Sequence, residues 1–280
     1  MKLIPIQFDI NSLQRYSRLL ISAFPKTSLN AKKFSVESLT WLYTLNPEGH
    51  AIGFDAIDEG LLISHYVCIP TVISCRSVHV KALLSLNTAT ATDYQGQGLF
   101  TKLAKLTYGV AKELGFCCVY GVANKNSTPG FINKLDFNFV GQLDVFVGFE
   151  RITDPISNLE FKRIWSADTL SWRCSNPANP IVRLSSKSSN LFFAKTGYPY
   201  INVYDEKNDG SANDEPKYRK NLGIKLLLGF YPQGVPFTFV KIPNLLKPAP
   251  LNFIFKSLLP TCRVPDKRKI HFTFLDFDAY

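Results

Sequence analysis

The chain lacks the segments that would place it in or across a membrane. None of its apolar runs approaches the roughly 20 residues that a membrane-spanning helix needs. Its first residues, MKLIPIQFDI, lack the basic-then-apolar order of a secretory signal peptide. Internal repeats and low-complexity tracts are also missing, which argues against solenoid and fibrous architectures. We therefore expect a globular cytoplasmic protein without a membrane span.

Cysteines with the spacing of a metal site are missing as well. The chain has six cysteines, and no two of them form a C-x-x-C pair. Two are adjacent, at positions 117 and 118, inside an apolar run. This pattern is typical of reduced thiols in the core of a cytosolic protein, so we expect no metal site. The cysteines are Cys68, Cys75, Cys117, Cys118, Cys174 and Cys262.

What the sequence does have is a large apolar fraction and an excess of positive charge. Apolar residues make up 46% of the 280 residues and charged residues 19%, which is typical of a globular chain with an ample core. The net charge is +10, of which residues 1–145 carry +3 and residues 146–280 carry +7. Such an excess favours anionic partners, although solvated surface lysines would give the same total. Only PDKRK (265–269) is a tight basic cluster, and no stacking motif accompanies it, so we expect no nucleic-acid partner.

The periodicity of apolar residues in the first half predicts a layered α/β domain. Turn and capping residues separate helical from strand-like segments, and DEG (58–60) is a hairpin turn signal. The predicted helices are 11–23, 35–43, 99–114 and 128–135, the last with Thr128 as its cap, and the predicted strands are 50–58, 60–70, 80–92 and 116–123, followed by a strand or hairpin arm in FNFVGQLDVFVGFE (137–150).

A glycine-rich turn, DYQGQGLF (93–100), lies between a predicted strand and a predicted helix. Gly96 and Gly98 let the main chain approach a ligand closely, and the first N–H groups of the helix have no partner within it. Those groups and the helix dipole favour an anion such as a pyrophosphate. The glycine spacing of a dinucleotide-binding fingerprint and the lysine of a P-loop are both missing, so neither motif applies.

Two stretches resemble the GNAT superfamily of acyl-CoA-dependent N-acyltransferases. In the superfamily's Q/R-x-x-G-x-G/A motif, Gln95 and Gly98 match the leading position and the glycine, and Phe100 replaces the usual Gly or Ala. The resemblance covers roughly residues 10–150, and it implies a GNAT fold with a mixed central sheet that binds coenzyme A. A second pattern is matched by Asn124, Ser127, Phe131, Lys134, Leu135, Asp136 and Phe137. Coenzyme A binding is expected at Thr90, Ala91, Thr92, Gln95, Gly96, Gln97, Gly98, Leu99, Phe100, Thr101, Asn124, Ser127, Phe131 and Lys134.

The resemblance also implies how the reaction runs. The strand around residues 87–92 should splay from the next strand and offer main-chain N–H groups to the pantetheine arm and the thioester oxygen. His65 is the candidate base, on a strand expected to border the acyl site. Tyr94 or Tyr120 is the candidate acid that protonates the leaving thiolate. A structural histidine and half-buried sheet aromatics are the alternative interpretations of these three residues.

The second half resembles two-lobed members of the superfamily, which carry a second, degenerate GNAT-like lobe. The match lies in SADTLSWRCSNP (166–177) and in the last residues, IHFTFLDFDAY, which resemble a closing strand. We expect residues 1–150 to bind acyl-CoA and residues 151–280 to bind the acceptor. A polar insertion at 205–220 and a helix over 218–228 are predicted there. Strands are also predicted in NPIVRLSS, NLFFAKTG, YPYINVYD and VPFTFVKI.

The expected acceptor contacts are Tyr66, Trp172 and Arg173. Arg173 could clamp a phosphate or pair with Asp168, and Trp172 could stack on a base or pack in the core.

The resulting hypothesis is transfer of an acyl group from acyl-CoA to the amine of a nucleotide-linked amino sugar, by direct attack on the thioester. Two alternatives stay open: a non-catalytic acyl-CoA sensor, and an aminoacyl-tRNA-dependent cell-wall transferase. The sequence leaves open whether the chain forms a homo-oligomer.

Overall fold

A computed structural model of the chain describes residues 1–24, 27–152, 158–185, 189–208, 223–247 and 249–277. It is a mixed α/β structure with helices packed on a central sheet and a second sheet beside it. Among the described residues, no helix is long and apolar enough to cross a membrane. The helices are α1 (Ile10–Ala23), α2 (Ser28–Lys33), α3 (Val36–Thr44), α4 (Leu99–Glu113), α5 (Thr128–Leu135) and α6 (Ala167–Cys174).

The central sheet is mixed, because most of its neighbouring strands are antiparallel whereas β4 and β5 are parallel. Its order is β1-β2-β3-β4-β5-β14-β6, with β8 paired to β3 and β15 paired to β8. These strands are β1 (Lys2–Pro5), β2 (Ile52–Asp58), β3 (Leu61–Cys75), β4 (Val78–Thr90), β5 (Cys118–Ala123), β6 (Asn138–Gln142), β8 (Phe161–Arg163), β14 (Asn252–Ser257) and β15 (Ile270–His271).

The second sheet has the order β13-β7-β12-β11-β10-β9. Its strands are β7 (Asp144–Gly148), β9 (Val182–Ser185), β10 (Ser189–Lys195), β11 (Ile201–Asn208), β12 (Ile224–Gly229) and β13 (Val240–Lys241). The chain crosses from the central sheet to the second sheet at Leu143, between β6 and β7. It returns to the central sheet at β8, which pairs with β3, and again at β14, which inserts between β5 and β6. The two sheets therefore do not divide the chain at residue 150, and the split into a CoA-binding and an acceptor-binding half stays a prediction.

Side chains alternate between the two faces of the central sheet, and each face packs on helices. On β3, Val67 and Ile69 belong to the same core as Leu20 of α1 and Leu39 of α3. On the other face, Tyr66 and Cys68 pack with Leu99 and Leu103 of α4 and Phe131 of α5. The amphipathic spacing of the helices thus produces two apolar layers with the sheet between them.

Strand β3 is longer than the predicted strand 60–70, because it continues through Pro70 to a two-residue turn at Arg76 and Ser77. Proline has no N–H to donate to a neighbouring strand. On one edge of β3, the pairing with β2 extends only as far as Cys68, and the pairing with β8 starts at Ile73. Pro70 lies between these two paired segments, so no neighbouring strand lacks a hydrogen bond because of the missing N–H. Pro70 therefore does not end the strand, although the sequence pattern predicted an end there.

The structure confirms the four predicted helices of the first half and corrects several other predictions. Ser127, not Thr128, occupies the N-cap of α5, and the Thr128 hydroxyl donates to the Asn124 carbonyl. The helix predicted over 218–228 is wrong for residues 224–228, which form β12, and residues 218–222 lie outside the described residues. Likewise, the polar insertion predicted from 205 is strand β11 up to Asn208.

Two strand predictions near the end of the chain also need correction. The predicted closing strand is only Ile270–His271, followed by a 3-10 turn at Phe274–Asp276 in which Asp276 accepts from the Thr273 N–H. In VPFTFVKI (235–242), only Val240–Lys241 is a strand.

Candidate functional site

The glycine-rich turn opens directly onto the N-terminus of α4. Gly98 is the N-cap residue with φ +74°, and Gly96 has φ +79°, so both use the left-handed region that favours glycine. No side chain caps the first turn of α4. A Cβ added at either glycine would meet no atom of the described residues within 4 Å. The first N–H groups of a 15-residue helix therefore face open space and can bind an anion.

Beside this turn, the parallel strands β4 and β5 separate. They pair from Ala82 opposite Cys118 to Ser85 opposite Gly121, and no pairing follows beyond that point. Residues 86–90 of β4 and residues 122–123 of β5 line the cavity that the separation leaves. Its volume is about 720 Å³, which is in the range of ligand pockets. The splay predicted at residues 87–92 is therefore present.

A β-bulge lies inside the splayed part of β4. The register against β3 shifts between His65 opposite Ala89 and Val67 opposite Leu86. Asn87 lies in this bulge with φ +46°, a conformation that asparagine tolerates better than most residues. The bulge turns Asn87 into the lining of the cavity.

The charge of the cavity wall suits an anionic ligand. Among the described residues that line it, Lys33 and Lys134 are the charged side chains, and none is Asp or Glu. Lys134 lies near the end of α5, whose entry is ordered by a turn in which Asn124 Oδ1 accepts from the N–H groups of Asn126 and Ser127. Two lysines and the helix terminus together would attract phosphate groups.

Phe100 fills the groove between α4 and α5 where the superfamily motif has a small residue. Its ring contacts Phe131 edge-to-face at 5.0 Å and Tyr66 at 5.9 Å. Gly130 leaves the space for it, because a Cβ there would lie 3.2 Å from Phe100 Cε1. The large side chain thus packs between the helices, and the turn before α4 keeps its left-handed glycines.

Most residues expected to bind coenzyme A meet at this cavity. All of them line it except Ala91, Thr92 and Gln97. The cavity also has an apolar wall that the sequence did not predict, formed by Phe24, Phe34, Leu251 and Phe277. No motif carries these residues, and only the tertiary fold brings them to the cavity.

Of the candidate acids, Tyr94 lies at the cavity and Tyr120 does not. Desolvation and the Asp58 carboxylate raise the pKa of Tyr94, whose O–H donates to Asp58 Oδ2 at 3.3 Å. Tyr120 is fully buried among Phe161, Phe253 and Phe272, and its hydroxyl has no hydrogen-bond partner among the described residues. Burial raises the pKa of Tyr120. Tyr94 is the one of the two with access to a ligand in the cavity.

His65, the candidate base, is fully buried and does not line the cavity. Its Nδ1 lies 2.7 Å from Asp55 Oδ1 and its Nε2 lies 3.2 Å from Tyr43 Oη. Its role as the base stays a prediction, and hydrogen bonds link it through Tyr43 Oη to Asn87 Nδ2 at the cavity.

The three expected acceptor contacts are buried outside the described lining of the cavity. The Tyr66 hydroxyl lies 2.9 Å from Ser85 Oγ. Trp172 stacks on Trp41 with ring centroids 4.8 Å apart, and Arg173 donates to the main-chain carbonyls of residues 274, 275 and 277. Asp168 is exposed. Their roles in acceptor binding stay predictions, and the contacts seen are those of core residues.

The fold is similar to those of solved N-acetyltransferases. A GCN5-related N-acetyltransferase from Kribbella flavida matches with a TM-score of 0.62 at 10% identity, over 91% of this chain and 71% of that one. A GCN5-related N-acetyltransferase from Anabaena variabilis matches with a TM-score of 0.60 at 9% identity, over 92% and 73%. Eis1 from Mycobacterium abscessus matches with a TM-score of 0.58 at 9% identity, over 92% and 74%.

No protein-family model and no curated protein matches the sequence. At these identities the structural likeness shows the fold alone. It extends over nine-tenths of the chain and therefore includes both sheets. The chain thus has the mixed α/β fold of the GCN5-related N-acetyltransferases, with the splayed strands and the glycine turn meeting at one cavity.

Proposed function

We propose that the protein is an acyl-CoA-dependent N-acyltransferase. The observation that carries this proposal is the cavity between the splayed β4 and β5, which opens onto the uncapped N-terminus of α4. One ligand with a diphosphate at one end and an extended arm at the other fits this arrangement. Coenzyme A has that chemistry, and its thioester would carry the acyl group.

The main chain would do most of the binding. The N–H groups around Gly96, Gly98 and Leu99 would hold the pyrophosphate, each charged hydrogen bond contributing about 1.5–3 kcal/mol. The unpaired main-chain groups of residues 86–90 would bind the pantetheine amides. An N–H donor placed at the thioester oxygen is worth roughly 3 kcal/mol of barrier.

The acceptor amine would attack the thioester carbon in its neutral form. If its pKa is about 8, losing the proton at pH 7 costs only about 1.4 kcal/mol, so a strong base is not required. Tyr94 would act as the acid at the leaving thiolate. A tyrosine hydroxyl is protonated at neutral pH, and Tyr94 lines the same cavity.

For the acceptor we propose the amine of a nucleotide-linked amino sugar, bound chiefly by residues 151–280. The support is the net charge of +7 on residues 146–280, against +3 on residues 1–145. This acceptor predicts that uridine- or thymidine-diphosphate amino sugars raise the melting temperature of the CoA-bound protein. A rise with CoA and no further rise with any such sugar would contradict this acceptor.

Thiol release tests the enzyme against a non-catalytic acyl-CoA sensor. The protein is incubated with acetyl-CoA and a panel of amines, and free CoA is measured with a thiol reagent. An enzyme releases CoA in proportion to amide product, whereas a sensor binds acetyl-CoA without releasing it. An aminoacyl-tRNA-dependent transferase would instead show no measurable affinity for CoA.

A further inference from the structure

We propose that Asn87 binds the attacking amine through its side-chain oxygen. We further propose that Asp55, His65 and Tyr43 form a buried relay that holds the Asn87 amide in this orientation. The inference rests on the proposed acyltransferase function and names a substrate-contacting residue for it. The three relay residues act through Asn87 and are positioning residues.

The relay is a continuous chain of short contacts from β2 to β4. His65 Nδ1 lies 2.7 Å from Asp55 Oδ1, and His65 Nε2 lies 3.2 Å from Tyr43 Oη. Asn87 Nδ2 donates to the same Tyr43 oxygen at 3.2 Å. Tyr43 and His65 are fully buried, whereas Asn87 reaches the cavity wall. The relay therefore connects the buried Asp55 carboxylate to Asn87, a polar side chain of the cavity wall.

The direction of each hydrogen bond follows from the carboxylate. Asp55 Oδ2 also accepts from the Tyr16 hydroxyl at 2.7 Å, and a carboxylate can only accept. In the tautomer that donates from Nδ1 to this carboxylate, His65 Nε2 accepts from the Tyr43 hydroxyl. The Tyr43 oxygen can accept from Asn87 Nδ2 in turn. Because the nitrogen of the amide faces Tyr43, its oxygen faces the opposite way.

The Asn87 oxygen is available to a ligand. It has no hydrogen-bond partner among the described residues, and the side chain lines the cavity inside the β4 bulge. The bulge lies in the part of β4 that has separated from β5, where the proposed function places the pantetheine arm. Asn87 lies three residues before Thr90, whose main-chain carbonyl accepts from Gln95 Nε2 at the turn side of the cavity.

A neutral hydrogen-bond acceptor suits this reaction. Among the described residues, no carboxylate or histidine lines the cavity, so none of them would hold the amine as an ammonium ion. An N–H···Oδ1 bond to Asn87 would leave the nitrogen lone pair free for the thioester carbon. In the reaction the C–N bond forms and the C–S bond breaks with its electron pair on sulfur. Tyr94 gives its proton to the thiolate, and the proton lost by the amine nitrogen restores the Tyr94 hydroxyl. Asn87 takes no proton.

A double-mutant cycle on kcat/KM for the amine tests the relay. Asn87→Gly removes the amide and suits the positive φ, and Tyr43→Phe removes only the hydroxyl. We expect Asn87→Gly to lower kcat/KM roughly tenfold or more by raising KM for the amine, with the dissociation constant of CoA within about threefold. Tyr43→Phe should lower kcat/KM about threefold in the parent and less than about 1.5-fold in the Asn87→Gly background.

Tyr231→Phe is the matched control, because Tyr231 is also buried and its hydroxyl has no partner among the described residues. It should leave kcat/KM unchanged. Two kinetic results overturn the inference: an Asn87→Gly enzyme within about twofold of the parent, or a Tyr43→Phe effect that persists undiminished without Asn87.

A spectroscopic measurement decides the relay independently of activity. Two-bond 1H–15N correlation spectra at neutral pH, assigned with His65→Gln, report which ring nitrogen of His65 carries the proton. We expect protonated Nδ1 and unprotonated Nε2, and the opposite tautomer or an imidazolium ion overturns the relay. A wild-type chain that acylates no amine overturns the proposed function and the role of Asn87 with it, whatever the tautomer.

Discussion

Phe100 Cε1 lies 3.2 Å from the position that a Cβ on Gly130 would occupy. The aromatic side chain at the start of α4 thus depends on the missing side chain of α5. Gly130→Val should overpack this contact and destabilise the protein by about 1–3 kcal/mol, as measured by urea unfolding. It should also weaken CoA binding, because both helices line the cavity.

Gly109→Val is the matched control for that substitution. Gly109 lies in α4, is exposed, and has no protein atom within 4 Å of an added Cβ. The free energy of unfolding of Gly109→Val should be within about 0.5 kcal/mol of that of the parent. Equal stabilities of the two variants would show that Phe100 does not need the space at Gly130.

Because β14 lies between β5 and β6, we expect that residues 1–150 do not fold alone. A fragment ending there lacks Phe253, Ile254 and Phe255, which are almost fully buried between β5 and β6. We expect such a fragment to aggregate or to show poor amide dispersion in a 1H–15N spectrum. A monomeric fragment with dispersed signals and parental CoA affinity would contradict the interleaved topology.

His271 predicts a specific dependence of stability on pH. Burial lowers the pKa of this residue to about 3, and its Nδ1 has no partner among the described residues. In the unfolded chain its pKa is about 6.5. Between these values the unfolded state binds a proton that the folded state does not. The contribution of neutral His271 to the free energy of unfolding is therefore complete above about pH 6.5. It falls by about 1.4 kcal/mol per pH unit as the pH drops below that value.

Urea unfolding at several pH values between about 5 and 7.5 measures this effect. The stability of His271→Phe should depend less steeply on pH than that of the parent. His79→Gln, at an exposed histidine, should parallel the parent. Parallel curves for the parent and His271→Phe would contradict the assignment of a buried neutral imidazole.

The first half of the fold and most of the residues that meet at the cavity could be predicted from the sequence because their signals are local. The glycines at 96 and 98, the periodicity of α4 and the asparagine turn before α5 lie within about fifty residues. Each of these features needs only its neighbours along the chain to be recognised. The interleaving of β14 between β5 and β6 depends on contacts more than 100 residues apart, which periodicity does not report.

The residues predicted to contact the acceptor show a different limit of sequence-based prediction. Trp172 and Arg173 belong to a motif-like stretch, yet a ring that stacks on a nucleotide and a ring that stacks on Trp41 have the same sequence pattern. Similarly, the orientation of His65 toward Asp55 is a matter of which strand face it occupies. Asn87 reaches the cavity because of a register shift between β3 and β4, which no local sequence pattern predicts.

The affinity for CoA of two glycine variants tests the central claim most directly. Gly98 and Gly115 lie at opposite ends of α4 with φ +74° and +79°, and neither has a protein atom within 4 Å of an added Cβ. Gly98→Val and Gly115→Val should therefore cost similar stability, but only Gly98→Val places atoms where the pyrophosphate would bind. By isothermal titration calorimetry we expect Gly98→Val to weaken CoA binding roughly tenfold or more and Gly115→Val to change it less than about twofold. Equal dissociation constants for the two variants, or no CoA binding by the parent, would contradict the account.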